Sequence, residues 1–147
     1  ESESRGLGDV YKRQILNDAG LSLHSRKVGN FVLEESREAT RSMFLNNPPE
    51  AVFVANDHMA FAVMDTLRYE LGLKIPDDVS VVGYDDVPAA SWPSYLLTTV
   101  QQPVNIMVRE TVEILIEKIE NPEARPQKIK VDGPLILRKS AKIHKGH

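Results

Sequence analysis

Two pairs of polar residues stand where a small ligand could be held. Asn56 and Asp57 follow the apolar run AVFVA at residues 51–55, and Asp85 and Asp86 follow VSVVGY at residues 79–84. Asparagine offers donors and an acceptor, whereas an ionised aspartate only accepts. Such a set suits a neutral ligand with vicinal hydroxyls or ring N–H groups. Each hydrogen bond to a charged group contributes about 1.5–3 kcal/mol net, so two or three of them beside an apolar face support micromolar binding. Phe31 is the nearest candidate for that face, and it reads equally as a core aromatic or as a platform for a ring. Structural roles compete for the other residues. Asp57 opens a helix and is most simply its N-cap. Asp86 suits the cap of a turn in the next loop. Asn56 and Asp85 remain the ligand candidates, because each ends a strand.

Other chemistries find little support. His24, His58, His144 and His147 have no metal-site spacing. There is no G-x-S-x-G elbow and no phosphate-cradling glycine loop. Paired carboxylates at strand ends could serve a phospho-acceptor with bound magnesium, but that also needs a lysine at the same edge. Lys128 and Lys130 are the candidates, and nothing in the sequence places them there.

The elements that must position these residues follow from periodicity and breakers. Residues 27–33 suggest a short strand. Residues 34–46 suggest a helix with Ala39, Met43 and Phe44 on one side, ended by Asn47-Pro48-Pro49. Residues 51–55 are too short for a helix and read as a strand buried on both faces. Residues 57–71 form a helix stopped at Gly72. Residues 79–84 give a second buried strand, 85–97 a loop, and 98–101 a β-branched strand. Residues 103–120 form a helix with Val104, Met107, Val108, Thr111, Leu115 and Ile119 on one face. Short strands at 128–131 and 135–137 and a basic, solvated tail from Lys139 complete the chain. Alternating strand and helix implies an α/β, doubly wound parallel sheet flanked by helices. Ligands of such sheets sit outside the carboxyl ends of the strands. Successive strands pair side by side through a crossover, so the two polar pairs face one crevice.

Composition sets the outer bounds. The 147 residues fit one domain and little more, and the formal net charge of −3 argues against a chain that is mainly a nucleic-acid grip. Absence of cysteine excludes disulfides, thiolate metal sites and a cysteine nucleophile. No apolar run approaches a membrane span of about 20 residues.

Several blocks together carry a family resemblance. They are VFVANDHMAFAVMDTLRYELGLKIPDDVSVVGYDDVPAA, then Leu97-Thr98-Thr99-Val100 with Gln102-Pro103, and the closing Pro134-Leu135-Ile136-Leu137-Arg138-Lys139-Ser140. In this order and spacing they resemble the LacI/GalR family of bacterial transcription repressors over about residues 15–140. The resemblance implies one lobe of a periplasmic-binding-protein-like fold, truncated to the C-terminal part of the effector-binding core. The helix at 103–120 would belong to the other lobe. Residues 1–14 would be a non-native or disordered leader, since RGLGDVYKRQ resembles a translated library adapter, and 141–147 a tail. Functionally, the resemblance implies the sensing part of a cytoplasmic repressor, not an enzyme, with a sugar or related polar metabolite as effector and no cofactor or metal. Asp85 matches the family's acidic effector contact, Asn56 its polar contact, and Phe31 its stacking aromatic. Operator DNA would be bound through an N-terminal domain, and homodimerisation would use the helix from Asp57, including Phe61, and the loop with Trp92. No membrane partner is implied. The family's effector-anchoring arginine is replaced by Gly8. The alternatives are a periplasmic sugar receptor for transport, against which the closing block argues, and the phospho-acceptor domain above.

Overall fold

The computed structural model describes residues 12–143. Of the leader expected at 1–14, residues 1–11 lie outside the described residues, and 12–14 belong to a helical stretch running to residue 18. That stretch stops at Gly20, whose φ of 72° is the left-handed turn that glycine adopts at low cost. The strand expected at 27–33 does not form. Asn30 and Phe31 take φ of 48° and 61°, and a pleated strand cannot pass through two left-handed residues.

Helix α1, Leu33–Phe44, follows directly. Its buried stripe is Ser36, Thr40 and Phe44, with Ala39 and Met43 half-buried beside it. The two hydroxyls can be buried because each donates one turn back, Ser36 to the Val32 carbonyl at 2.8 Å and Thr40 to the Ser36 carbonyl at 2.7 Å. Strand β1 is Ala51–Phe53, and helix α2 is Asp57–Asp65, prolonged by a wider π turn over Thr66–Glu70. Strand β2 is Ser80–Asp85, a short 3-10 turn covers Pro88–Ser91, and strand β3 is Thr98–Gln101. Helix α3, Val104–Glu120, and strand β4, Leu135–Ile136, complete the elements. The strand expected at 128–131 is absent, and residues 123–134 are irregular.

The sheet order is β1-β2-β3-β4, with β1, β2 and β3 parallel and β4 antiparallel to β3. This is the expected α/β class, an open and mainly parallel sheet with helices. One expectation about it fails. Residues 51–55 are not buried on both faces: Ala51 is exposed and Phe53 is 42% exposed. Among the described residues β1 is an edge strand, paired on one side only. The deepest core lies between α2 and the central strands, where Met64, Leu67, Val81 and Leu97 are fully buried.

Asp57 corrects a second expectation. It is not the N-cap of α2. That role falls to Asn56, whose Oδ1 accepts from the Met59 amide at 2.9 Å. Asp57 instead turns inward and is fully buried. Its carboxylate accepts from the Thr99 hydroxyl at 2.7 Å and from the Val87 amide at 3.0 Å. Gly83 makes this possible, since a Cβ at that position would run into the Asp57 carboxylate and stand 2.9 Å from a Leu97 methyl.

Of the tail expected to be solvated from Lys139, residues 144–147 lie outside the described residues, and the described part is anchored. Ser140 is fully buried. Its hydroxyl donates to the Val81 carbonyl at 2.6 Å and accepts from the Thr98 amide at 2.7 Å, bridging β2 to β3. The Val81 amide returns a bond to the Ser140 carbonyl at 2.7 Å. A hydroxyl can satisfy a carbonyl and an amide at once, which an amphipathic or charge pattern does not register.

Three substitutions test this packing, all read by urea denaturation. Asp57→Ala leaves a buried hydroxyl and amide without their acceptor and is expected to cost about 3–5 kcal/mol, the range for breaking buried charged networks. Gly83→Ala should also destabilise, and more in the wild-type background than with Asp57→Ala, because the clash is with that carboxylate. Ser140→Ala is expected to cost about 1–3 kcal/mol. Losses below about 0.5 kcal/mol would contradict both assignments.

Candidate functional site

Asn56 and Asp85 are set by two adjacent parallel strands. Phe53 pairs with Val82, and the Val54 amide donates to the Val82 carbonyl at 2.8 Å. Asp85 ends β2 and Asn56 stands three residues past the end of β1, so both lie toward the carboxyl edge of these two strands. Both stand at the carboxyl edge and both are half-buried. Capping uses the Asn56 carbonyl oxygen, so what this side chain can offer a ligand is its Nδ2 donors.

Asp85 holds an unusual backbone, with φ of 126°. One carboxylate oxygen accepts from the Gln102 side chain, and its carbonyl accepts from the Gln102 amide at 3.3 Å. Burial pushes the Asp85 carboxyl above the usual carboxylate range. The Gln102 hydrogen bond and nearby His58 pull it down, while the charge of Asp57 adds to the rise. The edge therefore presents a donor from Asn56 and an acceptor from Asp85.

Phe31 is not a core aromatic. It is 61% exposed at the tip of the turn before α1. It rims a cleft of about 340 Å³ between α1, α2 and β1, together with Gly29, Asn30, Ala55 and Met59. That cleft ends at Ala55, one residue short of Asn56, and neither Asn56 nor Asp85 lines it. The structure thus places Asn56 and Asp85 toward the carboxyl edge of neighbouring strands, and Phe31 on an apolar recess that neither of them lines.

Asp86 does not cap a turn. Its carboxylate pairs with Arg138 at 2.7 Å and accepts from the Gln101 side chain at 2.8 Å. Arg138 also donates to the Leu97 carbonyl at 2.8 Å. Gln101, Gln102 and Arg138 were not singled out from sequence as site residues. Gln101 and Gln102 close the β-branched strand at this same edge, which was the available signal. Arg138 comes from the end of the chain, and only the fold brings it here. Lys130 lies 3.8 Å from Asp132 with both side chains in solvent, so it pairs there and not at the acidic edge. Among the described residues no group of three or more His, Cys, Asp or Glu is placed to hold a metal ion. No described helix is long and apolar enough to cross a membrane.

The aromatics expected on a dimer surface divide. Phe61 is buried and stacks on Tyr95 with centroids 4.3 Å apart, while Trp92 is exposed. Helix α3 has no buried residue, and Met107, Val108, Leu115 and Ile119 all face outward.

Comparison with known proteins agrees with this architecture. The periplasmic binding protein-like domain matches residues 7–141. The chain is 32% identical over 132 residues to the HTH-type transcriptional repressor PurR of Photobacterium profundum, covering 88% of this chain and 39% of that protein. It is 34% identical over 133 residues to the ribose operon repressor of Escherichia coli, covering 88% and 40%. Among solved structures, the transcriptional regulator CelR in complex with cellobiose superposes with a TM-score of 0.80 at 31% identity, over 88% of this chain and 40% of that one. The chain thus spans about two-fifths of the length of these relatives, two of which are named transcriptional repressors and the third a transcriptional regulator. It belongs to the periplasmic binding protein-like domain family, in the form found in LacI-type transcriptional regulators.

Proposed function

We propose that this chain is the C-terminal part of the effector-sensing core of a LacI-type transcriptional repressor, and that the effector is a sugar or related small polar metabolite. The observation that carries the reading is the donor–acceptor pair at one strand edge. A vicinal diol can accept from the Asn56 Nδ2 with one hydroxyl and donate to the Asp85 carboxylate with the next. Phe31 would stack on the apolar face of the ring. The cellobiose complex of one relative supports a carbohydrate as the class. Residues 15–140 would form the sensing unit, with α3 packed in the opposing lobe. Effector would bridge the lobes and shift their arrangement by no more than its differential affinity for the two states. In the whole protein, operator DNA would be read by an N-terminal domain of a cytoplasmic homodimer.

The test uses this chain joined to an opposing lobe and a thermal-shift screen over mono- and disaccharides. For a stabilising sugar, Asp85→Ala is expected to weaken binding by about 10- to 150-fold, equivalent to the roughly 1.5–3 kcal/mol of one charge-assisted hydrogen bond. Asn56→Asp keeps the cap, so stability should hold within about 0.5 kcal/mol while binding weakens through loss of the donor. Sugar binding that ignores both substitutions would remove this edge from the site.

A pH dependence follows from the same carboxyl. Its folded pKa lies above the unfolded value, so the folded state holds the proton more tightly. Ionised Asp85 therefore costs stability, with the cost absent below the unfolded pKa of about 3.9 and complete above the folded one. Asp85→Asn should raise the melting temperature at pH 7, and the gain should vanish as the pH falls through the carboxylate range. An equal effect at pH 7 and pH 3 would count against it.

A further inference from the structure

Asp85 and Asp86 are consecutive non-glycine residues with φ of 126° and 58°. Backbone of this kind persists only where its surroundings over-determine it. The neighbours at this edge do so from two sides. Asp86 is nearly buried, its side chain 10% exposed, and both of its oxygens are engaged. Arg138, 17% exposed, takes one at 2.7 Å, and Gln101 takes the other at 2.8 Å. Arg138 is itself fixed, donating through its guanidinium to the Leu97 carbonyl at 2.8 Å and through its amide to the Thr98 hydroxyl at 2.9 Å. Gln102 holds Asp85 by side chain and by backbone.

A planar guanidinium with two parts of the protein in its grip is a rigid strut, which a lysine is not. One end of this strut is tied to the amino end of β3. The other clamps the residue that follows Asp85. We infer that Arg138 is a positioning residue: by clamping Asp86 it forces the left-handed backbone that turns the Asp85 carboxylate toward the carboxyl-edge crevice. The inference rests on the reading of Asp85 as an effector contact, and it adds a role for the end of the chain in shaping the site. It also ties the site to the connection between lobes. The same two aspartates are held by Gln101 and Gln102, which lead from β3 into α3, so a ligand that moves Asp85 acts on that connection.

The test needs no effector. Carboxyl carbons of the 147-residue chain are followed by NMR through a pH titration, with Asp85→Asn to assign the signal. In wild type the Asp85 carboxyl titrates above an ordinary aspartate. In Arg138→Met it should fall toward the ordinary value as the carboxylate swings into water, against the rise that loss of a nearby positive charge alone would give, with a smaller fall in Arg138→Lys. Retained amide shifts for β2 and β3 establish that each variant is folded, and if Arg138→Met does not fold, Arg138→Lys decides. A purely structural Arg138 would lower the melting temperature and leave the Asp85 titration unmoved or raised, and that result overturns the inference. Strain is read separately: Asp85→Gly should melt about 4 °C above Asp85→Ala, since only glycine is at ease at that φ. The reverse order also overturns it. Because both measurements are made without ligand, the brace can fail while Asp85-dependent sugar binding stands, and the binding can fail while the brace stands.

Discussion

The carboxylate of Asp57 lies where three parts of the chain must meet. It starts α2, takes the hydroxyl of Thr99 from β3 and takes the amide of Val87 from the loop after β2. A buried charge is costly unless it is fully hydrogen-bonded, so this arrangement is close to all-or-none. It fixes the height of α2 over the sheet and the path of the loop leaving β2. It also explains the Gly83 next to it, since any side chain there would occupy the space of the carboxylate. The apolar core beneath, from Met64 and Leu67 to Val81 and Leu97, supplies adhesion without direction. Asp57 supplies the direction.

The carboxyl edge follows from that placement. With Asp57 turned inward, Asn56 is the residue left to cap α2, and capping spends its acceptor and leaves its donor. With the loop after β2 held at Val87, Asp85 and Asp86 are confined to the short span between a strand and a fixed amide. Both positive φ values of this edge fall in that span. The closing segment then locks the strands from their other end through Ser140 and Arg138, although it is the last described part of the chain.

What the sequence made legible was whatever depends on local periodicity. Helices α1, α2 and α3 and strands β2 and β3 were found within a few residues, and the parallel arrangement followed from their alternation. The carboxyl-edge rule located Asn56 and Asp85 without any structure. What it did not show depends on partners far away in the chain. The AVFVA run looks doubly buried because its residues are apolar, but burial is decided by what lies beside a strand, and among the described residues β1 has a neighbour on one side only. Asp57 looks like a cap because it opens a helix. Its true partners, Thr99 and Val87, are 42 and 30 residues away. Asp86 and Arg138, 52 residues apart, fail for the same reason. The basic appearance of residues 138–142 concealed that a single serine among them carries three backbone contacts.

Stability and site geometry pull in opposite directions at this edge. The φ of Asp85 and the burial that raises its pKa are both costs to folding when no ligand is present, and a glycine or an asparagine would carry less of either. Asp57 is a different kind of aspartate: its partners are all within the fold, and nothing about it faces outward. Two acidic residues that read alike in the sequence are thus separated by where their costs are repaid. Asp57 is repaid by Thr99 and Val87 inside the domain. Asp85 is repaid only in part, by the Gln102 hydrogen bond, and its burial still holds its carboxyl above the usual range.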